Sequence, residues 1–173
     1  MKMLKPMALV LALSAIAAQT QAQPAVYRGG TLTIPAGVLV SENRKQYYAD
    51  IVLETDSSGN LELVSANPLP KVMVNTVDAM VSEDIGKTTV VLSVAGNKSV
   101  PCTILQNAAV VREDAHFSVI LAESVLGPAE SCIAVLDPFT LDIPLDVSGL
   151  SAGTYTIDVN GVEVSFDLSV DAP

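Results

Sequence analysis

The chain has 173 residues, half of them apolar, with nine Lys or Arg against nineteen Asp or Glu and a formal charge of −10. That balance repels phosphate backbones and anionic surfaces, so nucleic-acid and anionic-membrane binding are poor matches, since each depends on basic residues gathered on one face. A chain of this length buries a real core and forms one or two small domains, and its acidity keeps a Val- and Leu-rich protein soluble.

The start is built like a secretory signal peptide: Lys2 and Lys5, then apolar or small residues from 6 to 18, then Thr20-Gln21-Ala22 as a cleavage site. Cleavage after Ala22 leaves 151 residues with seven Lys or Arg against nineteen Asp or Glu, a formal charge of −12. No later run approaches the roughly 20 apolar residues of a membrane-spanning helix. No Cys lies near the cleavage region to accept a lipid, and the expected location is secreted or periplasmic. Cys102 and Cys132 make an even count in an exported chain, which favours a disulfide worth about 3–4 kcal/mol in the chain-entropy picture. Two buried thiols or half a metal site are the alternatives, and the lack of a CxxC pair or a neighbouring His weakens the metal reading.

From 26 to 66 the residues read as a three-stranded antiparallel meander. Val26 to Ile34, with Gly29 and Gly30 inside it, is the first strand and Pro35 stops it. Tyr47 to Glu54 and Leu61 to Ser65 are the second and third, separated by the turn-rich Asp56-Ser57-Ser58-Gly59-Asn60. Pro68-Leu69-Pro70 then reads as an extended linker. The expected organisation is a signal peptide at 1–22, the meander at 23–68 and a second unit at 69–173.

In that second unit short apolar runs recur at about ten-residue intervals: 72 to 80, 88 to 94, 100 to 111, 116 to 122, 132 to 136, 139 to 147, 154 to 159 and 162 to 170. None holds a helical period for three turns, and the pattern is that of an immunoglobulin-like β-sandwich. The last two runs form the clearest element. Asn160-Gly161 is a type I′ turn pair, and it sets Val159 opposite Val162, Ile157 opposite Val164 and Tyr155 opposite Phe166 on one face. Just upstream, Leu150-Ser151-Ala152-Gly153-Thr154-Tyr155 has the form of a tyrosine corner, whose hydroxyl bonds back to the preceding backbone. The fold class expected is all-β: a small N-terminal antiparallel meander followed by an immunoglobulin-like sandwich.

Cys132, Asp137-Pro138-Phe139, Ile143-Pro144-Leu145-Asp146-Val147, Gly149-Leu150, Ala152-Gly153-Thr154-Tyr155, Val159-Asn160-Gly161-Val162 and Phe166 together resemble the closing segment of a group of uncharacterised secreted bacterial proteins and lipoproteins. The resemblance spans roughly 130 to 168 and implies an immunoglobulin-like sandwich and export; it implies no activity. The missing lipid-attachment Cys departs from the lipoprotein members.

Chemistry-bearing patterns are sparse. The sole His, His116, follows Glu113-Asp114-Ala115 at a turn, where solvent exposure is expected. There is no G-x-S-x-G, HExxH, Walker loop or GxGxxG. The hairpin register puts Asp158 opposite Glu163, an unfavourable pair relieved by solvent or by a hard cation such as Ca²⁺. Tyr47-Tyr48 beside Arg44 is the preferred contact patch, since alternate strand residues face opposite ways and one ring should be exposed.

These readings point to an exported non-catalytic binding or structural module, without a cofactor, whose partner is another protein or an envelope component. The alternatives are a secreted protease inhibitor using the loops at 82–86, 95–99 and 124–130, and a calcium-linked adhesion module.

Overall fold

The computed structural model describes residues 24–172 apart from 42, 43 and 85, so the expected signal peptide lies outside the described residues. The chain is all-β. Its N-terminal part is a four-stranded antiparallel sheet in the order β1-β2-β3-β4, formed by β1 (Val26–Arg28), β2 (Thr31–Ser41), β3 (Arg44–Thr55) and β4 (Leu61–Leu69).

The meander thus has one strand more than expected. Gly29 and Gly30 take φ of 60° and 87°, a conformation that glycine adopts without a Cβ penalty, and turn the first run into a hairpin of β1 and β2. Pro35 does not end β2. β1 pairs only with residues 31–33, so the stretch around Pro35 has an open edge on that side, where a missing N–H costs no ladder bond. The β3–β4 turn follows the expected chemistry: Asp56 Oδ1 accepts from the Ser58 and Asn60 amides, both at 2.8 Å.

The expected linker is also hydrogen-bonded chain. Pro68 and Leu69 belong to β4, opposite Tyr48 and Tyr47. Beyond them, the Glu123 amide donates to the Pro70 carbonyl at 3.0 Å and the Val72 amide to the Leu121 carbonyl at 3.2 Å. The prolines cannot donate, but their carbonyls still accept, and that lets the crossing segment be tied down.

Residues 73–168 form an immunoglobulin-like sandwich. One sheet has the order β5-β6-β9, from β5 (Met73–Asp84), β6 (Lys87–Lys98) and β9 (Asp137–Leu145). The other has the order β11-β10-β8-β7, from β7 (Ala109–Glu113), β8 (His116–Ile120), β10 (Gly153–Val159) and β11 (Val162–Leu168). β8 and β10 run parallel, which needs a long crossover, and residues 121–152 supply it by passing through β9 on the facing sheet. Two expected strands are absent as such. Residues 100–108 and 132–136 lie almost wholly outside regular strands, and the Cys102–Cys132 disulfide, with Cα atoms 6.0 Å apart, joins them.

The final hairpin has the expected register throughout, with Tyr155 opposite Phe166. Their rings stack with centroids 5.4 Å apart, and Phe117 approaches both at 6.3 and 6.1 Å. Such ring pairs contribute roughly 0.5–1.5 kcal/mol beyond their area burial. Around them Leu92, Val94, Val119 and Ile157 are fully buried between the sheets. The tyrosine corner is present: the Tyr155 hydroxyl donates to the Ser151 carbonyl at 2.8 Å.

Candidate functional site

A second, smaller buried cluster joins the meander to the sandwich. Tyr47 and Leu69 from the meander meet Ile120 and Ala122 from the sandwich, with Val38, Val40, Ala49 and Ala109 around them. β8 is consequently buried on both faces: Val119 points into the sandwich core and Ile120 into this seam. Burying side chains of this size contributes about 1.5–3 kcal/mol each, enough to hold the meander against the sandwich.

The seam divides the expected contact patch. Tyr47 is not available for contact, because it is 5% exposed against Leu69 and Ile120, and that desolvation raises its hydroxyl pKa. Tyr48 points to the opposite face of the sheet. Cross-strand pairing places Tyr27, Leu32, Leu53 and Leu63 on that outer face, and it also carries Leu39, Tyr48 and Ile51 around a shallow depression of about 460 Å³. Tyr27 is 62% exposed and Leu63 64%. Arg44 lies apart from both tyrosines, at the end of the β2–β3 hairpin.

There it lines a cleft of about 350 Å³ between the meander and the tip of the last hairpin, with Lys45, Lys71, Ile120, Asp158 and Gly161. Lys45 Nζ is 3.3 Å from Asp158 Oδ1, and the same oxygen accepts from the Gly161 amide at 3.2 Å. The register does put Asp158 opposite Glu163. The charge beside Asp158 in this structure is the Lys45 ammonium, a third way of relieving the pair that the hairpin sequence alone does not display. Among the described residues no three His, Cys, Asp or Glu side chains gather as metal ligands.

A polar knot under the disulfide was not anticipated. Glu123 is 2% exposed and receives the Ser99 amide at 3.0 and 3.1 Å and the Thr103 hydroxyl at 2.5 Å. Lys98 Nζ donates to the Thr103 and Pro101 carbonyls at 2.7 and 3.2 Å and pairs with Asp137 at 2.9 Å. Glu123 and Lys98 together order residues 99–104, which form no ladder of their own. The available signal was Glu123 itself, an acid directly continuing the apolar run 119–122.

His116 is half-buried on β8, and its Nδ1 lies 2.9 Å from the Thr156 hydroxyl on β10. No carboxylate pairs with it among the described residues. The loops assigned to an inhibitor do not converge. Residues 95–98 belong to β6, and the hairpin at 84–87 and the loop at 124–130 lie at opposite ends of that twelve-residue strand, roughly 35 Å apart.

Residues 92–168 match the family model described as the ORF11 beta-sandwich domain. The match starts inside β6 and ends with β11, so it covers most of the sandwich and none of the meander. No curated protein and no solved structure matches the chain.

Proposed function

We propose that this is an exported, non-catalytic binding module of a bacterial envelope or culture medium, in which the sandwich is the scaffold and the meander presents the contact surface to another protein. The observation that carries the reading is the meander's outer face. A sheet normally buries one apolar face, and here the seam already occupies the inner one. Tyr27, Leu39, Tyr48 and Leu63 remain on the other side as a contiguous apolar surface with two aromatic rings, the composition typical of interface centres.

Export is supported by the basic, apolar and small-residue order of positions 1–22 and by the disulfide, a bond that persists in oxidising compartments. The non-catalytic reading rests on residue chemistry: His116 is held by a threonine, and the buried Glu123 is committed to backbone and hydroxyl donors.

The test is quantitative capture from envelope and medium fractions of the producing cells, using the mature chain beside Tyr48→Ala and Leu63→Asp variants. A specific protein retained by the wild type and lost with both variants is the expected result. Equal retention by all three, or turnover of ester, peptide or glycoside substrates that disappears in His116→Ala, contradicts the proposal.

A further inference from the structure

Arg44 and Lys45 at the start of β3 are joined by Lys71, from the segment after β4, where the rest of the surface is strongly acidic. Only seven Lys or Arg lie beyond residue 22, and three of them line the cleft at the hairpin tip. Among the described lining residues a single carboxylate, Asp158, opposes them, leaving a balance of two positive charges. Glu163 is exposed and does not line the cleft.

The fold holds this arrangement in place. Lys45 is on β3, two residues before the buried Tyr47. Lys71 is fixed by its bridge to Ala122. Asp158 and Gly161 belong to the last hairpin, whose Asn160 is bonded to both Val72 and Leu121. The cations are therefore anchored through backbone that cannot move apart without breaking the seam. Like charges gathered this way repel one another unless an anion joins them, and within a concave, partly desolvated site the attraction for such an anion exceeds its value on an open surface.

We infer that this cleft is a binding site for a small oxyanion carrying two negative charges, a phosphate or a dicarboxylate. Asp158 acts within it as a built-in competitor: it holds Lys45 when the cleft is empty and opposes the ligand when it is filled. This inference is independent of the contact role of the meander's outer face, since Tyr48 and Leu63 do not line the cleft.

The experiment is an amide NMR titration of the intact mature chain with inorganic phosphate and, separately, succinate, with sodium chloride holding ionic strength constant. Saturable shifts centred on Lys45, Lys71 and Gly161 with either anion are expected. An effect of phosphate alone assigns a phosphate site, and an effect of both assigns a general dianion site. The Arg44→Ala/Lys71→Ala double variant, altered only at exposed side chains, should lose saturation, while Asp158→Asn should bind several-fold more tightly, its amide oxygen still accepting from Gly161. Linear shifts spread over the surface with both anions, or Asp158→Asn binding no more tightly than the wild type, would overturn the inference.

Discussion

Asn160 is hydrogen-bonded to Val72, 88 residues earlier in the chain: its side-chain Nδ2 donates to the Val72 carbonyl at 3.0 Å. The same amide group donates to the Leu121 carbonyl at 2.7 Å and accepts from the Leu121 amide at 3.1 Å. A residue that the sequence marks as a turn former, with φ of 50°, therefore also closes one end of the sandwich. Asn160→Gly separates the two roles, since glycine keeps the turn and removes the bonds. Unfolding by denaturant should show a loss of about 1–3 kcal/mol, because the buried Leu121 amide is left without its partner. A variant as stable as the wild type would show that the turn alone matters.

The disulfide gives a second prediction. Reduction, or replacement of Cys102 and Cys132 by Ser, should cost about 3–4 kcal/mol through the freed 30-residue separation. Hydrogen exchange should rise at residues 99–104 while the Tyr155–Phe166 hairpin stays protected. Uniform loss of protection across both would mean that the loop is integral to the core.

Gly96 offers a steric test. A Cβ there would lie 2.2 Å from the Met73 carbonyl oxygen and 2.8 Å from the Phe139 ring. Gly96→Ala should destabilise by about 1–3 kcal/mol, as overpacking against backbone does. Gly37→Ala meets only the flexible end of Ile51 and should be milder. The reverse order in thermal melts would contradict the packing of β5, β6 and β9.

The pH dependence follows from carboxylates whose pKa values folding lowers. The Ser169 hydroxyl and amide hold Glu83 below its ordinary value, the Ser148 hydroxyl and amide do the same for Asp146, and the Asn60 amide and side chain for Asp56. A depressed folded pKa gives stability that is present above the unfolded value and lost as pH falls through the folded one. The melting temperature should hold from neutrality down to about pH 5 and decline below about pH 4. Glu83→Gln should make that decline shallower. Tyr47 has the opposite sign: its raised pKa gives stability that is present below about pH 10 and lost as pH rises further, and Tyr47→Phe should blunt that alkaline loss.

Local patterns were legible wherever one strand determines its own neighbours. Asn160-Gly161 specified the last hairpin residue by residue, and the six residues Leu150 to Tyr155 specified the corner. Long-range consequences were not. Tyr47 and Tyr48 are indistinguishable in sequence, and only the docking of Ile120 decides which ring is covered. A pointer did exist in the run Val119-Ile120-Leu121-Ala122, which is apolar without alternation, as expected of a strand buried on both faces. Residues 100–111 read as one strand because their apolar content is high, yet a disulfide and the buried Glu123 shape 100–108 where a ladder would otherwise form. The cationic cleft was invisible because Lys71 and Asp158 reach the adjacent Arg44 and Lys45 only after the seam closes.

The contact role of the meander is most directly measured by site-specific photocrosslinking in the producing cells. A photoreactive phenylalanine analogue at position 48 or 63 should yield a discrete covalent adduct with one protein, and the same analogue at position 165, on the wet face of the sandwich, should yield none. Adducts from position 165 with none from 48 or 63 would place the contact surface on the sandwich and contradict this account.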